Sequence, residues 1–253
     1  LLRSALFLAL LLLFGCGGDD DPVIPPPPPI PSKTLVSSLD NTLYEDTGGE
    51  ISNGIGQWMF VGVTKGTPSP GGNPDPPEIR RAVFKFDIAS AGIPAGSTID
   101  AVFLTLYLNN PPGGLNGPRW QDLHLLTNSW GEGPSAPLNP NEGKGAQAET
   151  NDATWLHRLY PATLWAQPGG DGDYSSTKSS NLRVGDSIGP KTWGSTANMV
   201  SDVKLWISTP ASNHGWILIA EDESTPQTAK RFATRQRSVT SERPKLVIYY
   251  TEP

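Results

Sequence analysis

The stretch TWLHRLYPATLWAQPGGDGDY, residues 154–174, gathers Trp155, His157, Arg158, Tyr160 and Trp165 within eleven positions. Flat aromatic faces stack on the C–H faces of sugars, and planar polar side chains bond their hydroxyls, so this inventory suits sugar binding. The same residue types also anchor long loops. Two of the three largest rings, among Trp155, Tyr160 and Trp165, are expected to serve that way. The GGDGDY end offers Asp171 and Asp173 as candidate oxygen ligands for a structural Ca2+. It lacks the further acidic ligand of a full calcium loop, and Asp-Gly by itself marks a turn. A second candidate lies in KRFATRQ, residues 230–236, where alternation places Arg231 and Arg235 on one strand face with Ala233 between them. Exposed guanidinium forks there would suit uronate carboxylates; the alternative is surface charge that balances the many acids.

Other chemistry is thinly represented. There is no phosphate-cradling glycine loop before a helix and no His-Glu-x-x-His. His124, His157 and His214 are far apart and lack ligand-spaced partners. Trp130 and Glu132 in SWGEG could pair a stacking face with a carboxylate, although Trp130 reads better as a core anchor. Glu45-Asp46 and Glu221-Asp222-Glu223 are further oxygen clusters, and Arg81 is a candidate ion-pair partner of Asp87 or Glu78. Tyr160, His157 and Arg158 could move protons and neutralise charge in a lyase or hydrolase, but no opposing acid is evident. A net charge of -6 and the absence of any Lys/Arg run argue against a nucleic-acid partner.

The elements that must position these groups are short strands. QWMFVGV (57–63), RRAVFKFDI (80–88), STIDAVFLTLYL (97–108), QDLHLLTN (121–128), GWILIAE (215–221), 230–236 and PKLVIYYT (244–251) are rich in β-branched and aromatic residues. Period-two alternation puts Val102, Leu104, Leu106 and Leu108 on one face and Phe103, Thr105 and Tyr107 on the other. The 27 glycines and 26 prolines supply turns and argue against a helical bundle. Met199, Val203 and Trp206 recur near helical spacing, predicting one amphipathic helix over 197–209 capped at Ser195 or Thr196. Residues 64–79 and 131–192 read as long loops. No βαβ alternation and no internal repeat is present.

The first residues read differently. Arg3, an apolar run over 5–14 and LFGC at 13–16 look like a bacterial lipoprotein signal over residues 1–15, with lipidation at Cys16. Ten apolar residues are too few to span a bilayer. Cys16 is the only cysteine, so a disulfide within this sequence and a cysteine-based metal site are excluded. Residues 16–33 hold a proline run that favours an extended tether of roughly 3 Å per residue. The folded domain is then 34–253.

DNTLYEDTGGEISNGIGQWMFVG, the run with Arg81, Phe86, Asp87, Ile93, Pro94, Gly96, Ile99, Leu104 and Leu106, and the closing Arg243, Pro244 and Leu246 resemble a DNRLRE domain, which is similar to carbohydrate-binding module family 96. The resemblance spans roughly 40–250. It implies an all-β fold, a jelly-roll-like antiparallel β-sandwich with one short helix and long loops, here preceded by a signal peptide and a Pro-rich linker. It also implies a secreted module that accompanies polysaccharide-acting proteins. The matched residues are mostly scaffold, so no binding residue is carried over. The expectation is a non-catalytic binder of an extracellular or cell-wall polysaccharide, held at the bacterial envelope by lipid at Cys16. A surface adhesin or structural envelope lipoprotein that binds proteins is the alternative, and a polysaccharide lyase or hydrolase the second.

Overall fold

A computed structural model of the protein describes residues 30–66, 76–110, 117–137 and 141–253. The signal, Cys16 and most of the tether lie outside the described residues, as do 67–75 of the Pro-rich 64–79 stretch. In chain order the strands are β1 (Ser32–Tyr44), β2 (Ile51–Ser52), β3 (Trp58–Val63), β4 (Ile79–Phe86), β5 (Thr98–Asn110), β6 (Arg119–Leu126) and β7 (Ala146–Gln147). They continue with β8 (His157–Leu159), β9 (Thr163–Leu164), β10 (Tyr174–Val184), β11 (Gly189–Trp193), β12 (Trp216–Ala220), β13 (Lys230–Ala233) and β14 (Lys245–Thr251), with the helix α1 at Ala197–Ser208.

Ten strands form an antiparallel β-sandwich whose two sheets share strands. In the front sheet β5 is central. It pairs with β14 and β13 along one edge and with β11 along the other, and β13 passes the ladder to β3. The back sheet runs β1, β4, β12, β6, β10. β1 belongs to both: its first residues pair with β14, then a bulge between Ser37 and Leu39 sends Ser37–Tyr44 along β4. β3 crosses likewise, pairing through Gly62 and Val63 with the start of β4.

The alternation read from the sequence decides which faces meet. Val102, Leu104, Leu106 and Leu108 of β5 are fully buried between the sheets with Ala82, Phe84 and Phe86 of β4. α1 adds Met199, Val203 and Trp206 to that core, and the Trp206 and Trp216 rings lie 4.5 Å apart. Its cap is Thr196, whose side chain accepts from the Met199 amide.

The expectation of one loop over 131–192 is corrected. Its C-terminal third forms β10 and β11, both bound into the sandwich. YSSTKSSNLRV and GPKTW carry few apolar residues because both are outer strands with one ladder partner, so the hydrophobic signal is weak there. β1 shows no single alternation in the sequence either, since its apolar face changes at the crossing. Strand 230–236 is shorter than expected and ends at Ala233.

The described residues between β6 and β10, 127–137 and 141–173, cover the outer face of the back sheet. Trp130, Trp155 and Trp165 pack there on Leu43, Val83, Leu126 and Ile217, forming a second apolar cluster. This explains why β4 is apolar on both faces: Ala82, Phe84 and Phe86 face the main core, and Val83 faces the covering segment.

Candidate functional site

Trp155 and Trp165, expected as sugar-stacking candidates or anchors, are 9% and 4% exposed and serve as anchors. Trp165 Nε1 donates to the Thr154 carbonyl at 2.9 Å, and the Trp155 ring packs against Gly169 and the Arg81 guanidinium. Gly169 has a positive φ of 76°, and a Cβ there would lie 2.7 Å from that ring. Their role as ligand-stacking faces is therefore corrected: burial leaves no free ring face. Tyr160 and His157 are half-buried and meet edge to face at 5.1 Å. The Arg158 guanidinium donates to the carbonyl and hydroxyl oxygens of Ser129. These three line neither of the cavities described below.

The candidate calcium ligands Asp171 and Asp173 both have partners within the protein. Asp171 Oδ1 accepts from Arg81 Nη1 at 2.7 Å and from the Tyr174 hydroxyl at 2.8 Å. Asp173 takes the Asn128 amide on one oxygen and the Ala166 backbone N–H on the other. Both carboxylates thus already accept from protein donors, Asp171 through one oxygen and Asp173 through both. Among the described residues no group of three or more His, Cys, Asp or Glu side chains is placed to hold a metal. Arg81 pairs with Asp171 and Glu223 rather than Asp87 or Glu78, and Glu78 pairs with Arg80.

Arg231 and Arg235 do not share a face. Arg235 lies beyond the end of β13, where it clamps the buried Glu132 carboxylate, which also takes the Gln236 amide and the Asp40 backbone N–H. Glu132 is thereby spent on structure. Trp130 beside it is buried, with Nε1 bonded to the His214 carbonyl.

Arg231 remains on the outer front face and leads to a groove. Alternation in β3 turns Met59 and Val61 inward and leaves Trp58 and Phe60 outside. β13 registers Arg231 opposite Phe60 and next to Asn110 of β5. The Arg231 and Arg237 guanidinium carbons lie 4.5 and 4.4 Å from the Trp58 ring centroid.

Two abutting cavities of about 380 and 370 Å3 open beside this row. They share Thr64, Lys65, Arg80 and Gly143. The second is walled by Phe60, Asn110 and Arg231, and none of its lining residues is a carboxylate. The first holds Tyr44 and Lys144 together with Glu45, Asp46 and Glu78.

Burial and partners set the electrostatics. The Arg80 guanidinium stacks 4.6 Å from the Tyr44 ring and is tied to Glu78. Burial pushes the Tyr44 phenol well above its ordinary range, so it stays a hydroxyl and donates to the Glu142 carbonyl. Burial lowers the Arg231 pKa, partly offset by Glu142. Lys65 and Lys144 are exposed and form no ion pair among the described residues.

The groove can hold a flat, hydroxyl-rich or anionic ligand between an aromatic wall and the cations Lys65, Arg80, Lys144 and Arg231, and among the described residues it presents no nucleophile paired with a base. Of its residues, Tyr44, Phe60 and Lys65 were not anticipated from sequence. The alternation in QWMFVGV was the available signal for Phe60. No known protein-family model matches the chain, and no curated protein is similar to it.

Proposed function

We propose that the protein is a non-catalytic polysaccharide-binding module, displayed outside a bacterial cell on the lipid tether expected at Cys16. The observation that carries this reading is the groove of Phe60, Lys65, Arg80, Asn110 and Arg231, with Tyr44 and Lys144 continuing it. Its size falls within the range of ligand pockets. Its second half lacks carboxylates, which favours sugars that carry an acidic group. The DNRLRE resemblance points the same way.

The test is affinity electrophoresis of the full chain through gels containing polygalacturonate. Wild type is expected to be retarded, less so as salt rises, and the Lys65→Ala/Arg231→Ala double variant to migrate freely. Equal retardation of wild type and variant, or none of wild type, would refute the groove as the site.

A further inference from the structure

The covering segment seals only part of the back sheet's outer face. Across β12, β6 and β10 that face is a set of rows fixed by the ladder register. Ile217, His124 and Lys178 form one row, and Ile219, Asp122 and Asn181 the next. The last is Glu221, Trp120 and Arg183: Trp120 registers opposite Arg183, and its carbonyl accepts from the Glu221 backbone N–H. The first row borders the tryptophan-covered cluster, since Ile217 packs in it and His124 meets the Tyr174 ring at 5.1 Å. The last row is open to solvent. Of the eight tryptophans Trp120 alone is exposed, at 42%. It stands on a strand whose other outward residues, Asp122, His124 and Leu126, are buried, so its ring is the one flat aromatic face that this strand presents to solvent.

The groups around Trp120 are suited to hydroxyls. Arg183 and Asn181 are exposed, and neither side chain has an ion pair or a hydrogen bond among the described residues. Lys178 reaches across to Asp122 at 2.7 Å and to Glu221 at 3.6 Å. The second oxygen of Asp122, a residue only 5% exposed, is buried without a hydrogen-bond partner. Donors and acceptors of both signs therefore ring a single flat aromatic face, and the charges balance locally. The groove, by contrast, has an excess of cations.

We infer that the Trp120 face is a second polysaccharide contact, which stacks a neutral pyranose of a glycan chain, with Arg183, Asn181 and Glu221 bonding its hydroxyls. The inference rests on the polysaccharide-binding reading, but on another face and for uncharged rather than acidic sugars. An extended chain laid across the strands would meet the three groups of the last row in turn.

The experiment is affinity electrophoresis of the full chain through gels of mixed-linkage β-glucan, galactomannan or xylan, beside the polygalacturonate gel. At least one neutral gel should retard wild type. Trp120→Ala should weaken that binding about tenfold, the scale of one lost stacking contact, and leave polygalacturonate retention in place. Lys65→Ala/Arg231→Ala should do the reverse. Iodide quenching of tryptophan emission gives a second readout: Trp120→Ala should remove most of the quenchable signal, and the retarding neutral polysaccharide should protect it in wild type. A neutral gel that retards wild type and Trp120→Ala equally overturns the proposal, as does a wild type that no neutral gel retards. A Trp120-dependent dimer in sedimentation would also overturn it, by showing that a second copy covers the ring. Failure of the groove reading is separate, and shows only in the polygalacturonate gel.

Discussion

Asp40 sits where β1 leaves one sheet for the other, fully buried, and its carboxyl rises from an ordinary 3.8 to about 7. Burial is the main cause and the neighbouring Glu132 carboxylate the second, against lowering by Ser37 and Arg235. Oδ2 accepts from the Ser37 hydroxyl and the Arg235 backbone N–H, while Oδ1 is buried without a partner. One guanidinium, that of Arg235, faces two carboxylates and is already bidentate on Glu132. The folded state therefore holds a proton that the unfolded chain releases near pH 4. Between about pH 4 and pH 7 the native state binds more protons, so stability falls as pH rises and levels off above 7. For a shift of this size the loss is about 4 kcal/mol. Asp152, raised to about 6 by burial, acts with the same sign. His214, lowered by burial, acts in the opposite sense but is half-exposed and screened. Asn at position 40 keeps an acceptor for Ser37 and Arg235 and cannot ionise. Urea unfolding followed by tryptophan fluorescence from pH 4.5 to 8.5 should show Asp40→Asn with a shallower decline than wild type, and the variant more stable at the alkaline end. Parallel profiles across that range would refute the assignment of a buried proton to Asp40.

Trp165→Ala removes a ring that pins the covering segment, and should cost about 3–5 kcal/mol in chemical denaturation. Limited proteolysis should then cut within 127–173 before the sandwich unfolds. Lys230 is 0% exposed on the inward face of β13, with Asp186 at 3.0 Å as its ion-pair partner. Lys230→Met should leave melting temperature unchanged or raise it, because Asp186 is partly exposed and can be solvated once its partner is lost.

What was legible in the sequence follows from where each signal is stored. β5 and β4 pack against the core, so alternation marks them, and the helical spacing of Met199, Val203 and Trp206 marks α1. β10 could not be read this way, because a strand with one ladder partner and an open face needs few apolar residues. The stretch 154–174 was legible as an aromatic concentration, but not as to purpose. A sugar platform and a loop anchor need the same rings, and only the apolar outer face of β4 and β12 decides for the anchor. The groove is not legible in the sequence because its parts come from β1, β3, β4, β5, β13, residues 64–65 and the turn at 143–144, brought together by pairings between residues far apart in sequence. Trp120 was hidden differently. Nothing in the local alternation says that the cover over its strand stops short of it.

The crossing of β1 between the sheets also has a mechanical consequence. Any pull on the chain ahead of Ser32 enters the fold through this strand. The load runs along its axis, so hydrogen bonds to β14 over 32–36 and to β4 over 37–44 are strained side by side in shear rather than opened one after another. A single strand thus spreads the force over both layers, and the bulge at Ser37 to Leu39 is the joint at which it passes from one to the other.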